Sequence, residues 1–151
     1  MAFLPRFIII NTPKTYHLSK KELAVRNVVT TKSEPNQYQL VTIAIEAMQE
    51  LKAIDIVLLD LTEISEASTD YFVICHGTSS THISGIADRV QKNILETLGE
   101  HPTRVEGRQG SHWQLIDYFS VIVHIFDREK RDFYDLEGLW SDAKITPIDN
   151  V

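Results

Sequence analysis

The stretch from Glu106 to Trp140 narrows the choice of fold more than any other part of the chain. It reads E-G-R-Q-G-S-H-W-Q-L-I-D-Y-F-S-V-I-V-H-I-F, then D-R-E-K-R-D-F-Y-D-L-E-G-L-W. Side chains alternate along a strand, so Trp113, Leu115 and Asp117 fall on one face while Gln114, Ile116 and Tyr118 take the other. Val121–Phe126 supplies a second strand beside it, rich in β-branched residues. Phe133, Leu136 and Trp140 follow at i, i+3 and i+7, which predicts a helix burying all three. An arginine-bearing loop, two paired strands and an amphipathic helix need a larger sheet to pack against.

The rest of the chain supplies it. Val41, Ala44, Ile45, Met48 and Leu51 form the apolar stripe of a helix lying on a core. Ile54–Leu61 is almost continuously aliphatic, as in a strand covered on both faces, and Asp70–Cys75 is a second such strand. His76-Gly77-Thr78-Ser79-Ser80 is a tight turn whose hydroxyls can cap the next helix. Ile83, Ile86, Ala87, Val90, Ile94 and Leu98 mark that helix's buried face, and Gly99 stops it. Thr103–Glu106 is a further short strand. The order αββαβββα predicts an α/β domain with a mixed five-stranded sheet flanked by helices.

With 151 residues and 43% apolar content, the chain can build one core without disulfide or structural metal. Its one cysteine, Cys75, ends an apolar strand and reads as core. No apolar run approaches the roughly 20 residues of a membrane span. Charge divides the chain. Residues 1–35 carry six Lys/Arg and two acids, net +4, and read as a flexible basic extension. Residues 36–151 carry nine basic and 19 acidic residues, net −10. So acidic a domain is repelled by phosphate backbones and drawn to basic proteins. RNA contact is expected at most through the extension. A cytoplasmic location is expected; the lack of acids in residues 1–21 keeps an organellar transit peptide as the alternative.

Catalytic constellations are missing from the pattern. Gly77–Ser80 before a helix resembles an anion-binding turn, but nucleotidyl transfer also needs paired carboxylates for magnesium, and Trp113–Tyr118 offers only Asp117. His76, His82 and His112 lack the tight ligand pairs of a zinc site, so no metal or cofactor is expected. Ser111, His112 and Asp117 are triad residue types without implied triad geometry. From spacing alone Trp113 is equally a core plug or a surface anchor. Asp117 on the same face favours an open face, because a carboxylate is costly to seal away without a partner. Trp113 with a carboxylate beside it suits docking on a basic protein.

The runs T-D-Y-F-V-I-C-H-G-T-S-S-T-H-I (69–83), V-E-G (105–107), S-H-W-Q-L-I-D-Y (111–118), V-I-V-H-I-F (121–126) and R-D-F-Y-D-L-E-G-L-W-S-D-A (131–143) resemble the Iojap-like ribosomal silencing factor family, over about residues 37–145. The resemblance implies a nucleotidyltransferase-like fold without the catalytic carboxylates, and no enzymatic activity. It implies binding to the large ribosomal subunit through its basic protein number fourteen, with block of subunit joining and repression of translation. Its partner-facing positions fall on Trp113, Asp117 and Tyr134, and we add His112 and Arg108 from the same loop. Three alternatives stand beside this reading: a nucleotidyl- or phosphoryl-transfer enzyme using Gly77–Ser80, a large-subunit assembly factor, and a homodimer that uses the same patch. The chain departs from the family in having Phe119-Ser120 where Gly-Asp is common, a poor pair for a type I′ turn.

Overall fold

The computed structural model describes residues 35–107, 110 and 112–150. Arg108 and, apart from Pro35, the expected basic extension lie outside the described residues.

Asn36 opens α1 (Gln37–Glu50) with a capping box: its side chain accepts the Tyr38 amide, and the Gln39 side chain accepts the Asn36 amide, both at 3.1 Å. Two strands follow, β1 (Ile54–Asp60) and β2 (Tyr71–Gly77), then α2 (Ser80–Leu98). Ser79 caps α2 by accepting the His82 amide at 3.1 Å, and Gly99 closes it at φ 68°. Next come β3 (Arg104–Glu106), β4 (Trp113–Asp117) and β5 (Val121–Asp127). Two short helices, α3 (Arg128–Tyr134) and α4 (Leu136–Leu139), lead to β6 (Lys144–Pro147).

Among the described residues the strands form one mixed sheet in the order β3-β4-β5-β2-β1-β6. Only β2 and β5 run parallel, with α2 in the crossover between them; the other pairs are antiparallel. Both long helices pack on one face. There Ala44, Met48, Ile86, Val90, Ile116, Val123 and Ile125 are fully buried. Gln114 also points to this side and donates from Nε2 to the Ser84 hydroxyl of α2 at 3.0 Å, so its amide is not stranded in the core.

The α/β class and flanking helices agree with the sequence reading, but the sheet has six strands rather than five. β6 joins the free edge of β1, with all four of its residues exposed. The last helix also differs. Asp135 adopts the left-handed conformation (φ 43°), ends α3, and caps α4 by accepting the Gly138 amide at 3.2 Å. The restart breaks the i, i+3, i+7 face. Leu136 and Trp140 pack over Leu59, Leu61, Phe72 and Ile74, whereas Phe133 is 75% exposed.

The β4–β5 hairpin makes its turn without glycine. Phe119 sits at φ 75°, a conformation that costs a non-glycine residue about 1 kcal/mol or more. Asp117 Oδ1 holds it by accepting the Phe119 amide at 2.7 Å, and the Thr69 hydroxyl donates to the Phe119 carbonyl at 2.9 Å.

Candidate functional site

The second face of the sheet is only half covered. Leu136 and Trp140 shield the side formed by β1 and β2. Beyond them the register sets Phe126 opposite Trp113, His124 opposite Leu115, and Ile122 opposite Asp117. On the outer side, Glu106 faces Leu115 and Arg104 faces Asp117. Trp113, Leu115, Asp117 and Ile122 therefore lie together in a partly exposed apolar surface with a charged margin.

Trp113 anchors one end. Its ring stacks on Phe126 at 4.9 Å and 23°, and meets Tyr134 of α3 at 4.7 Å. Its Nε1 donates to His124 Nδ1 at 3.1 Å. The indole thus has a fixed bed and is only partly buried. Tyr134 is 45% exposed and packs edge-on against Phe133, over which the Lys130 ammonium lies 5.6 Å from the ring centroid. His112 pairs through Nδ1 with Asp127 Oδ2, and Asp127 Oδ1 accepts the Lys130 amide at 2.7 Å, starting α3. One carboxylate thereby orients the histidine before the anchor and the helix that supplies Tyr134.

Trp113, Tyr134 and His112 are brought together; Asp117 is not. Asp117 lies four positions along the strand from Trp113, about 13 Å at the rise of an extended chain. The expected indole-and-acid pair, side by side, is corrected in that respect: alternation put both on one face but at opposite ends. Asp117 also has intrachain work. Besides the Phe119 amide, it faces the Arg104 guanidinium at 3.7 Å. Asp127, which pairs with the neighbouring His112, was not singled out in the sequence, and Phe133 was read there as buried. His124 is 3% exposed. Its one sequence signal is a polar residue inside V-I-V-H-I-F.

The Gly77–Ser80 turn is filled by its own chain. His82 Nδ1 accepts the Thr78 amide at 3.0 Å, and its Nε2 donates to the Leu51 carbonyl at 2.6 Å. Ser79 takes the His82 amide through its hydroxyl and the Ile83 amide through its carbonyl. A Cβ at Gly77 would lie 3.0 Å from Ile83 Cγ1 and 3.2 Å from the Ile83 amide nitrogen, so a side chain there requires its neighbours to shift. An anion would have to displace these bonds. Asp127 lies beside Gly77 in the parallel register, with both oxygens engaged as described. Among the described residues no three His, Cys, Asp or Glu side chains gather as a metal site. Cys75 is fully buried, and burial pushes its thiol up to about 12.

A second polar cluster fastens α3 and α4 to the sheet. Arg131 donates to Glu137 Oε1 at 3.1 and 2.7 Å, to the Asp55 carbonyl at 2.7 Å, and lies 3.0 Å from His76 Nδ1. Burial, and then the Arg131 charge, hold His76 below the usual imidazole range. These bonds occupy the guanidinium and set the height at which α3 carries Tyr134. No helix among the described residues is long and apolar enough to cross a membrane.

Residues 31–151 match the family model described as ribosomal silencing factor during starvation. A ribosomal silencing factor from Bacillus subtilis is 37% identical over 114 residues, which cover 76% of this chain and 95% of that protein. A crystal structure of a protein from Chromobacterium violaceum superposes with a TM-score of 0.67 at 27% identity, covering 78% of this chain and 97% of that one. The mouse protein named mitochondrial assembly of ribosomal large subunit protein 1 is 33% identical over 75 residues, 48% of this chain and 33% of its own length. By the span and identity of these matches, the chain belongs to the ribosomal silencing factors, a family of regulatory proteins rather than enzymes.

Proposed function

We propose that this silencing factor docks on the large ribosomal subunit through the half-covered sheet face, with Trp113 as the central anchor and Tyr134 and His112 beside it. The proposed contact is the subunit's basic protein number fourteen, and the bulk of the domain then stands where the small subunit would join. Translation falls because the subunits stay apart. No turnover, nucleotide or cofactor enters this scheme.

One observation carries the reading: an indole held on a bed of Phe126, Tyr134 and His124 with part of its surface left accessible. Anchors of this kind, large, rigid and preorganised, dominate the energy of protein interfaces. Charge supports the choice of a protein contact over ribosomal RNA, since residues 36–151 carry net −10. Asp117, braced by Arg104, belongs to the rim of the proposed contact. There it contributes to steering more than to affinity.

The test is the joining of purified subunits, followed by light scattering, with wild-type or Trp113→Ala protein. Wild type should suppress joining, and the variant should need about thirtyfold more protein for the same effect, equivalent to about 2 kcal/mol at the anchor. Equal suppression by both proteins rules the proposed face out. A second reading, promotion of large-subunit assembly, draws support from the name of the mouse relative. It shares the docking face and differs in when docking occurs. Accumulation of immature large subunits in cells lacking the protein would favour it.

A further inference from the structure

We infer that His124 is a positioning residue for docking: its Nδ1 fixes the orientation in which the Trp113 indole meets the large subunit. The inference rests on the docking reading above.

β5 is apolar along Val121, Ile122, Val123, Ile125 and Phe126, yet an imidazole interrupts it. His124 is 3% exposed, with Phe72 at 4.6 Å between ring centroids, Trp113 at 5.7 Å and Phe126 at 6.1 Å. Its Nδ1 takes the indole N–H at 3.1 Å. A nitrogen that accepts carries no proton, so the ring's hydrogen sits on Nε2. That Nε2 is buried and has no hydrogen-bond partner. Leucine or phenylalanine would fill the position without stranding a donor, and a stranded donor is costly. Packing alone therefore does not account for the imidazole. Its bond to Trp113 does.

Phe126 and Tyr134 by themselves do not select one orientation of the indole. Phe126 lies nearly flat against it and Tyr134 at 45°, contacts that survive if the indole turns over within its own plane. A hydrogen bond from one ring atom does not survive that turn. The Nδ1 acceptor thus favours the orientation in which the N–H edge of the indole points inward to His124. Burial also keeps the acceptor available. It disfavours the imidazolium and pushes the His124 pKa down to about 3, so Nδ1 does not gain a proton near neutral pH. Orientation here is held by a group that does not titrate in the physiological range. His112, on the exposed rim, is placed differently and has Asp127 as its partner.

The test combines nitrogen-15 resonance of the free protein with affinity for purified large subunits, using wild type, Trp113→Ala, His124→Phe and His124→Gln. In wild type the His124 ring should carry its proton on Nε2 alone. His124→Phe should shift the Trp113 Nε1–H resonance and weaken binding about fivefold, the loss expected for one oriented hydrogen bond. His124→Gln offers an amide oxygen to the indole and should return both readings most of the way to wild type. A proton on Nδ1 in wild type overturns the inference. So does His124→Phe that leaves the resonance or the affinity unmoved. If only that happens while Trp113→Ala weakens binding, the docking face stands without the positioning role. If Trp113→Ala binds like wild type, both fall together. Should His124→Phe fail to fold, His124→Met, which fills irregular apolar space, replaces it in the same comparison.

Discussion

The two faces of the sheet share their strands and differ in almost everything else. Under α1 and α2, Ile116, Val123 and Ile125 are sealed; Gln114 there is matched by Ser84, and the buried Tyr118 hydroxyl has no hydrogen-bond partner. On the opposite face the same strands carry Trp113, Leu115, Asp117 and Ile122, none of them sealed, beside a buried histidine with an unmatched nitrogen. The first face is specified by volume: each side chain fills a space that two long helices define. The second is specified by direction, through hydrogen bonds that aim particular groups outward or hold a turn in place. The second face is the one proposed above to meet another molecule.

Substitutions should separate the faces, and the largest effect belongs to the sealed one. Ile125→Ala should cost about 3 kcal/mol, because its cavity lies between sheet and helices with little room to collapse. Leu115→Ala, on the half-covered face, should cost less than about 1 kcal/mol. Urea unfolding reads both as shifts in midpoint at constant slope. If Leu115→Ala costs as much as Ile125→Ala, the contrast between the faces is gone.

Acid should act next. The ordinary histidine value belongs to the unfolded chain, whereas in the folded protein His124 is pushed down to about 3 by burial, and His76 is also lowered. The unfolded state therefore binds protons first as the pH falls. The stabilisation is complete above about pH 6.5 and is lost progressively toward the folded value, at about 1.4 kcal/mol per pH unit for a fully linked group. Between pH 6.5 and 5, His124 alone should account for about 2 kcal/mol. Thermal melts across that range should fall for wild type and flatten partly in His124→Phe. Identical profiles would mean the ring is not neutral in the fold.

Much of this architecture was legible in the sequence. The α1 and α2 stripes, the cap at Ser79, the stop at Gly99 and the alternation of β4 follow from local period and local chemistry, and these elements form where the pattern puts them. β6 was not legible, because four exposed residues ending in proline show no alternation against a core. The burial of Phe133 was misjudged because one left-handed residue, Asp135, resets the helix face. Trp113 and Asp117 were correctly set on one face but not at their separation, since alternation gives side and not neighbourhood. The His124 bond to Trp113 depends on cross-strand register, which no single segment displays.

Two smaller effects sharpen the comparison further. Asp117→Ala removes the acceptor for the Phe119 amide in a turn already strained by its left-handed residue, and should cost about 1 kcal/mol by the same urea assay. A loss near zero would return Asp117 to a purely partner-facing role. Phe133→Ala should change stability by less than about 0.5 kcal/mol, given its exposure on α3. A larger loss would show that the aromatic edge between Phe133 and Tyr134 helps to build the anchor's bed.

Hydroxyl-radical footprinting at side-chain level bears most directly on the half-covered face as a docking surface. With large subunits bound, oxidation of Trp113 and Tyr134 should fall several-fold, while Tyr38, exposed on α1 at the other face, should react as before. Unchanged oxidation of Trp113 in the bound complex, with protection appearing at Tyr38 instead, would contradict the account.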